Sequence, residues 1–181
     1  MRIFFGIAVS GKMFRYGEQA HLLDPAALCL RFARRDVFVD VLQLVGEGRV
    51  ALDEKVSRYL GHEPWYSGIP NGETINVRML LNHTSGIPEY GGDFMTSLIR
   101  EPGRRRSPLD AVKSVAGAKP LFPAGTAFSY TDVNFQLLQL LAERVTSRPA
   151  YSEIRRRLLE PLRLSGIVPA DQRSIPGLVP G

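Results

Sequence analysis

A run of apolar residues spaced four apart sets the framework of this sequence: Val133, Leu137, Leu141 and Val145. Side chains at this spacing lie on one face of an α-helix, so the pattern predicts a helix over residues 132–146. A helix with one apolar face has to bury that face against other elements. The chain therefore needs further packed elements around this helix.

Other segments with helical spacing are shorter, and glycine and proline separate them. Asp53 is predicted to cap the helix over residues 52–60. The predicted helices span residues 37–47, 52–60, 75–81, 108–115 and 150–159, with a short one near 94–99. The predicted non-helical segments are 61–74, 82–88, 88–108 outside that short helix, and 119–130. The pattern alone supports mostly helices joined by turn-rich loops.

Composition excludes several classes of protein. Of the 181 residues, 44% are hydrophobic and 23% are charged, which argues against collagen, a coiled coil and wholesale disorder. The net charge is +5, but the 23 basic residues are scattered, and the two arginine runs, 104–106 and 155–157, have no aromatic interleaving. We therefore expect no nucleic-acid partner. Cys29 is the single cysteine and the three histidines form no pair at ligand spacing, so no metal or other cofactor is expected.

The N-terminal apolar run is short. Residues 3–9 follow Arg2, and the run ends at Ser10, below the usual length of an export signal. No stretch approaches the roughly 18 apolar residues of a membrane-spanning helix. We expect no membrane span, and a cytoplasmic location by default.

Three segments together resemble the serine β-lactamase-related, or penicillin-binding-protein-like, family. This family includes class C β-lactamases, D-alanyl-D-alanine carboxypeptidases and related esterases. The segments are LQLVGEGRVALDEKV at 42–56, INVRMLLNHTSGIP at 75–88 and FPAGTAFSYTD at 122–132. Their order and spacing carry the resemblance more than any single motif does.

The resemblance implies the fold and its division. The family's fold is α/β (α+β), and the chain is predicted to be a mainly α fragment of it that keeps the helical region and lacks most of the sheet. Residues 1–36 are predicted to be a divergent N-terminal segment with a disturbed nucleophile motif. Residues 37–181 are predicted to be the helical region, truncated before the family's Lys-Thr-Gly or His-x-Gly strand.

The resemblance also implies covalent acyl transfer. In this chemistry a serine activated by a nearby lysine attacks a carbonyl, a tyrosine relays protons, and backbone amides stabilise the oxyanion. Tyr130 takes the position of the relay tyrosine, and Asp132 takes the asparagine position of the Tyr-x-Asn loop. Asp132 is alternatively the cap of the helix that follows. Ser10 and Lys12 lie in the segment that resembles the nucleophile helix, and they complete the candidate catalytic set. Alternatively they are two polar residues that end an apolar N-terminal strand.

The nucleophile segment departs from the family pattern. Ser-x-x-Lys occurs nowhere in the sequence, and Ser10 precedes Lys12 by only two residues. On a helix that separation is about 200 degrees, so the two side chains would point apart. An ungapped alignment instead places Arg31 and Arg34 at the serine and lysine positions, where arginine supplies neither nucleophile nor base. We hypothesise that residues 15–36 reflect an insertion or a reading-frame disturbance.

Two functions follow from these observations and both stay open. The first is a serine hydrolase acting on a small acyl substrate: a β-lactam, a D-Ala-D-Ala peptide or an ester. The second is a non-catalytic remnant or binding module of the same fold. Ser85 is interpreted as part of a structural turn, in which Gly86 supplies a special backbone conformation and Ser85 a local hydrogen bond. The oligomeric state does not follow from the sequence.

Overall fold

The computed structural model describes residues 37–101, 104 and 106–163. Over these residues the fold is helical, and the pairing between strands is limited to one antiparallel bridge, between Lys55 and Asn76. The helices are α1 (37–46), α2 (Val56–Leu60), α3 (Val77–Leu81), α4 (Gly92–Arg100), α5 (Pro108–Lys113), α6 (Asp132–Thr146) and α7 (Ala150–Ile154). A 3₁₀ turn covers Tyr66–Gly68, and a π-helical turn, Arg155–Leu159, continues α7. The mainly helical fold class is confirmed.

Helix α6 is the centre of the packing, and its range is the one predicted from the apolar spacing. It contacts α2, α3, α5 and α7, and Val133, Leu137 and Leu141 on its inner face are completely buried. Thr131 starts the helix by accepting a hydrogen bond from the backbone N–H of Val133. None of the described helices is long and apolar enough to cross a membrane.

The start of α2 differs from the prediction. The sequence predicts a helix over residues 52–60 with Asp53 as its cap, but the helix begins at Val56, after Lys55, and no side chain caps it. The backbone before it pairs instead with the segment leading into α3: the N–H of Val56 donates to the carbonyl of Ile75 at 3.1 Å. Asp53 accepts two hydrogen bonds of 2.7 Å from Arg78. Tertiary pairing therefore replaces the first predicted turn.

The other boundaries shift by small amounts. Helix α3 starts two residues later than predicted, because the Asn76 side chain caps it by accepting from the N–H of Met79. Helix α5 has a capping box formed by Ser107 and Asp110 and ends two residues early. Helix α4, predicted as a short helix near 94–99, extends over Gly92–Arg100 and has no buried residue.

Asn71 joins three loops that are far apart in the sequence. Its amide nitrogen Nδ2 donates to the carbonyl oxygens of Ser85 at 2.8 Å and Phe122 at 2.9 Å. Its backbone is left-handed, with φ of 58°, a conformation that asparagine tolerates better than most residues. Asn71 thereby fixes the turn before α4 against the loop before α6.

Asn71→Gly should destabilise the fold by about 1–3 kcal/mol, because two partly buried carbonyls lose their donor. Glycine adopts the left-handed backbone without strain, so this variant isolates the side-chain contribution. Asn71→Ala should cost about 1–2 kcal/mol more, since alanine is strained at this φ. Urea unfolding of the three proteins measures both terms. A glycine variant as stable as the parent chain would show that the two hydrogen bonds contribute nothing.

A buried charge cluster connects α1 with the π-helical turn. The Arg157 Nε lies 3.2 Å from Asp40 and 2.6 Å from Glu153, and its guanidinium also pairs with Glu47. Asp40 and Glu153 are each 1% exposed. Burial raises the pKa of Asp40 to about 6, with Arg157 opposing the shift. A hydrogen bond from Arg156 and, with a smaller effect, one from Arg157 lower the pKa of Glu153 to about 2, although burial of the carboxyl group opposes this shift.

Candidate functional site

The loop before α6 lies along the turn at residues 83–86. Pro120, Pro123 and Gly125 keep this loop non-helical, as the sequence predicts. Three of its backbone N–H groups donate to carbonyl oxygens of the turn at 2.8–3.0 Å: Leu121 to Gly86, Gly125 to Thr84 and Ser129 to His83. The loop ends at Tyr130, which is 50% exposed.

Tyr130 and Asp132 lie in direct contact. The intervening Thr131 is extended, with φ of −148° and ψ of 139°, so the side chains on either side of it lie on the same face. The Tyr130 hydroxyl donates to Asp132 Oδ1 at 2.7 Å. The Tyr90 hydroxyl donates to the other carboxylate oxygen, Oδ2, at 3.0 Å. One carboxylate therefore accepts from two phenols.

Asp132 is the first residue of α6 and is only 7% exposed. The alternative that it caps this helix is wrong, because Thr131 is the capping residue. A carboxylate in the first turn of a helix is favoured by the partial positive charge at that end. Asp132 is therefore held as an acceptor for side chains rather than used to satisfy the helix backbone.

Residues 88–90, which we call the 88–90 strap, pass over the start of α6 and bind it at three successive positions. The Pro88 carbonyl accepts from the Thr131 hydroxyl at 3.3 Å, and Glu89 Oε2 accepts from the Asp132 N–H at 2.8 Å. The hydrogen bond from Tyr90 is the third contact. The strap thus fixes the backbone and the side chain of Asp132 together.

The ring of His83 packs against the ring of Tyr130. The ring centroids of the two residues are 4.6 Å apart, and Phe135 lies 5.2 Å from His83. His83 Nδ1 accepts the Thr131 N–H at 3.5 Å and faces the Asn134 amide nitrogen at 3.1 Å. Two donors at Nδ1 require the ring to be neutral, with its proton on Nε2. Burial lowers the pKa of His83, and the charge of Asp132 opposes that shift.

Ser85 is structural, as the sequence analysis interprets it. It is completely buried, and its hydroxyl donates to Asn134 Oδ1 at 2.8 Å while accepting from the N–H of Ile87 at 3.2 Å. Gly86 has a φ of 72°, the left-handed conformation that the turn requires. A hydroxyl with both roles occupied and no exposure is not placed to attack a substrate.

Protonation of His83 should destabilise the fold. The charged ring would carry a proton on Nδ1, and this N–H would face the Thr131 N–H and the Asn134 amide N–H, which are also donors. The pKa of His83 is lowered in the folded state, so its contribution to stability is complete above the unfolded value of about 6.5. This contribution is lost as the pH falls through that value toward the lower folded pKa. Urea unfolding at pH 7.5 and 5.5, compared between the parent chain and His83→Asn, measures it.

Asparagine tolerates the left-handed backbone of residue 83, where φ is 60°. The parent chain should lose more stability than His83→Asn between the two pH values. Comparing the two proteins cancels the stability contributed by the carboxyl groups, which both proteins share. Asp40 is one of these groups, and its raised pKa acts in the opposite direction, because the stability that Asp40 contributes is lost as the pH rises through about 6. Equal losses in the two proteins would contradict the neutral assignment.

The structure places half of the predicted catalytic set. Tyr130 and Asp132 are in direct contact, whereas Ser10 and Lys12 lie outside the described residues. Sequence reasoning missed Tyr90 and Glu89. They reach Asp132 across 42 and 43 positions of sequence, and the only signal for them was their place directly after the predicted 82–88 turn. In the described part of the chain, no group of three or more potential ligand side chains could hold a metal ion.

Comparison with known proteins places this arrangement in context. A family model described as Beta-lactamase matches residues 39–169. Protein flp of Staphylococcus aureus (strain COL) is 30% identical over 126 residues, which is 69% of this chain and 24% of that protein. The putative penicillin-binding protein PbpX of Bacillus subtilis is 26% identical over 164 residues, which is 86% of this chain and 37% of that protein.

A solved structure, a D-stereospecific amidohydrolase from Streptomyces sp., superposes on the chain with a TM-score of 0.68 and 31% sequence identity. The match covers 74% of this chain and 41% of the amidohydrolase. The chain spans less than half the length of each of these three relatives.

Proposed function

Because the chain belongs to the Beta-lactamase family, within the superfamily of serine hydrolases that includes penicillin-binding proteins, we propose that it acts in acyl transfer through a serine ester. The proposal of acyl transfer, beyond membership of the family, rests on one observation. Tyr130, at the position of the family's relay tyrosine, is half-exposed and its hydroxyl is held at 2.7 Å by Asp132. A phenol that is accessible and oriented can exchange a proton with a reacting group beside it.

The proposed roles follow the chemistry of acyl transfer. Ser10 is the candidate nucleophile, Lys12 its base, Tyr130 the proton relay and Asp132 the partner of Tyr130. The serine oxygen forms a bond to the acyl carbon, and the leaving amine or alcohol receives a proton. In this proposal residues 1–36 carry the altered nucleophile segment, and residues 37–181 carry the helical region with the relay loop.

The proposed substrates are D-configured amides and peptides, with β-lactams as strained analogues. The 31% identity to a D-stereospecific amidohydrolase and the similarity to a putative penicillin-binding protein support this class. A small ester is the simplest alternative acyl donor for the same chemistry. All three would acylate the serine to form an ester before hydrolysis.

A second candidate, a non-catalytic member of the fold, is favoured by a specific sequence observation. Ser-x-x-Lys is absent from the 181 residues, and a serine hydroxyl without an adjacent base is a weak nucleophile near neutral pH. Under this second candidate the relay loop persists while covalent chemistry is absent.

Covalent labelling distinguishes the two candidates. The purified chain is incubated with a fluorescent penicillin and, separately, with a fluorescent fluorophosphonate, and is then resolved on a denaturing gel. The hydrolase proposal predicts a band that disappears in Ser10→Ala and weakens strongly in Tyr130→Phe, while Ser107→Ala, a matched serine in the cap of α5, keeps it. Absence of any band at saturating probe favours the non-catalytic candidate.

A further inference from the structure

His83 contacts three consecutive residues at the end of the loop before α6, each through a different part of the histidine. Its backbone carbonyl accepts the Ser129 N–H at 3.0 Å. Its ring packs on the Tyr130 ring, with centroids 4.6 Å apart and an angle of 36° between the two planes. Its Nδ1 accepts the Thr131 N–H at 3.5 Å. The placement of Tyr130 therefore depends on the placement of the His83 ring.

A buried chain of hydrogen bonds fixes the tautomer of that ring. The backbone N–H of Ile87 can only donate, and it donates to the Ser85 hydroxyl oxygen at 3.2 Å. The Ser85 hydroxyl donates its own proton to Asn134 Oδ1 at 2.8 Å, which turns the Asn134 amide nitrogen toward His83 Nδ1 at 3.1 Å. Nδ1 is therefore an acceptor, and the ring proton lies on Nε2. Ser85 and Asn134 are completely buried, so bulk water does not compete for these groups.

We propose that His83 is a positioning residue for Tyr130, and that a proton gained at its Nδ1 displaces the Tyr130 ring and slows acyl transfer. The inference rests on the proposed function and adds proton-dependent control of the same site. Protonation places an N–H at Nδ1 against the N–H groups of Thr131 and Asn134, which both donate. A buried donor that faces two other donors is costly, so the His83 ring has to move, and the Tyr130 ring packed on it moves as well.

The groups around His83 decide how readily it gains this proton. Burial lowers the pKa of His83 below its ordinary value of 6.5, and the charge of Asp132, in the first turn of α6, opposes that shift. Tyr130 is the titratable neighbour in the loop, and Phe128 and Phe135 add uncharged rings with centroids at 6.1 and 5.2 Å. The ring is therefore neutral at pH 7.5 and is protonated in acidic solution.

Asn134→Asp reverses the preference at Nδ1 with almost no change in shape. The Ser85 hydroxyl still has an oxygen to donate to, and the second oxygen, which replaces the amide nitrogen, accepts from a protonated Nδ1. A carboxylate beside the ring stabilises the imidazolium, so His83 should gain its proton about 1–3 pH units higher. His62→Gln is the matched control, because His62 is exposed and is not a member of this chain of hydrogen bonds.

The first test follows His83 and Tyr130 together without any substrate. The chain is labelled with ¹⁵N-histidine and ¹³Cζ-tyrosine, and the two resonances are assigned by their loss in His83→Asn and Tyr130→Phe. As the pH is lowered from 7.5, the His83 Nδ1 resonance should change from that of an unprotonated to that of a protonated nitrogen. The Tyr130 resonance should shift with the same midpoint. Both midpoints should rise together in Asn134→Asp and stay in place in His62→Gln.

Tyr66 distinguishes a local displacement from unfolding. Its side chain is buried, and its hydroxyl donates to the Gly72 carbonyl at 2.7 Å. The Tyr66 ¹³Cζ resonance should therefore stay in place while His83 is titrated. A Tyr66 shift with the same midpoint as Tyr130 would show unfolding, and a Tyr130 resonance that does not follow His83 would show that the ring contact positions nothing. Either result would overturn the proposal.

The second test measures acylation by a chromogenic penicillin as a function of pH. The rate of the parent chain should fall about tenfold for each pH unit below the His83 midpoint. The pH at which this fall begins should move upward in Asn134→Asp by the same amount as the His83 midpoint, and His62→Gln should keep the parent profile. A fall that begins at the same pH in the parent chain and in Asn134→Asp would refute control by His83.

The two tests separate this inference from the proposed function. Coupled midpoints of His83 and Tyr130 in a chain that is not acylated keep the positioning role and refute the hydrolase. Acylation whose pH profile does not respond to Asn134→Asp keeps the hydrolase and refutes the positioning role.

Discussion

Arg157→Met should destabilise the folded chain by about 3–5 kcal/mol at pH 7.5, the cost of leaving a buried charge without its partner. The Arg157 side chain is 5% exposed, and its nitrogen atoms lie against the nearly inaccessible carboxylates of Asp40 and Glu153. Methionine keeps an unbranched stem of similar length but supplies no charge. The free energy of unfolding in urea gives the measurement.

The matched control is Arg156→Met. Arg156 also donates to Glu153, at 2.8 Å, but its side chain is 51% exposed, so solvent screens the pair and the expected loss is about 0–1 kcal/mol. The cost of Arg157→Met should shrink as the pH falls from 7.5 to 5, because carboxyl groups left without the guanidinium can bind protons. Equal losses in the two arginine variants would contradict the buried cluster.

Gly86→Ala should be comparably severe, at about 2–5 kcal/mol, because two costs add. The backbone at residue 86 has a φ of 72°, where an L side chain is strained. A Cβ there would overlap the carbonyl oxygen of Phe122 and lie 2.7 Å from the Asn71 amide nitrogen. The substitution therefore pushes the loop before α6 away from the turn, and Tyr130 with it.

Gly117→Ala separates these two costs. Gly117 has a similar φ of 76°, but a Cβ there meets nothing within 4 Å. Gly117→Ala should lose only the conformational part of the stability, about 1–2 kcal/mol. Thermal or urea unfolding of both variants gives the comparison. A Gly117→Ala variant as unstable as Gly86→Ala would show that the close contact with Phe122 and Asn71 has no energetic effect.

Local patterns predict most of the helical framework, because the apolar spacing of a helix is encoded in neighbouring residues. Helix α6 matches its predicted range, and the turn around Gly86 has the expected left-handed backbone. The cap assigned to Asp53 is wrong for a physical reason. A backbone pairing between Val56 and Ile75 competes with the first helical turn, and Asp53 binds Arg78 instead.

The candidate site likewise combines contacts that follow from local sequence with contacts that depend on packing. Tyr130 and Asp132 are two residues apart in one motif, so their contact follows from local extended geometry. Tyr90, Glu89 and Asn71 reach the site or its loops across 42, 43 and 51 positions. Such contacts depend on how the chain packs, and no periodicity in the sequence indicates them. Ser10 and Lys12 lie outside the described residues and stay a prediction.

Mass spectrometry of the acylated chain tests the central claim most directly. The chain is incubated with benzylpenicillin, its intact mass is measured, and the modified peptide is identified by fragmentation after digestion. The account predicts one penicilloyl adduct on Ser10, formed much more slowly in Tyr130→Phe. No adduct at saturating penicillin, or an adduct on another residue whose rate is unchanged in Tyr130→Phe, would contradict acyl transfer through the Tyr130–Asp132 site.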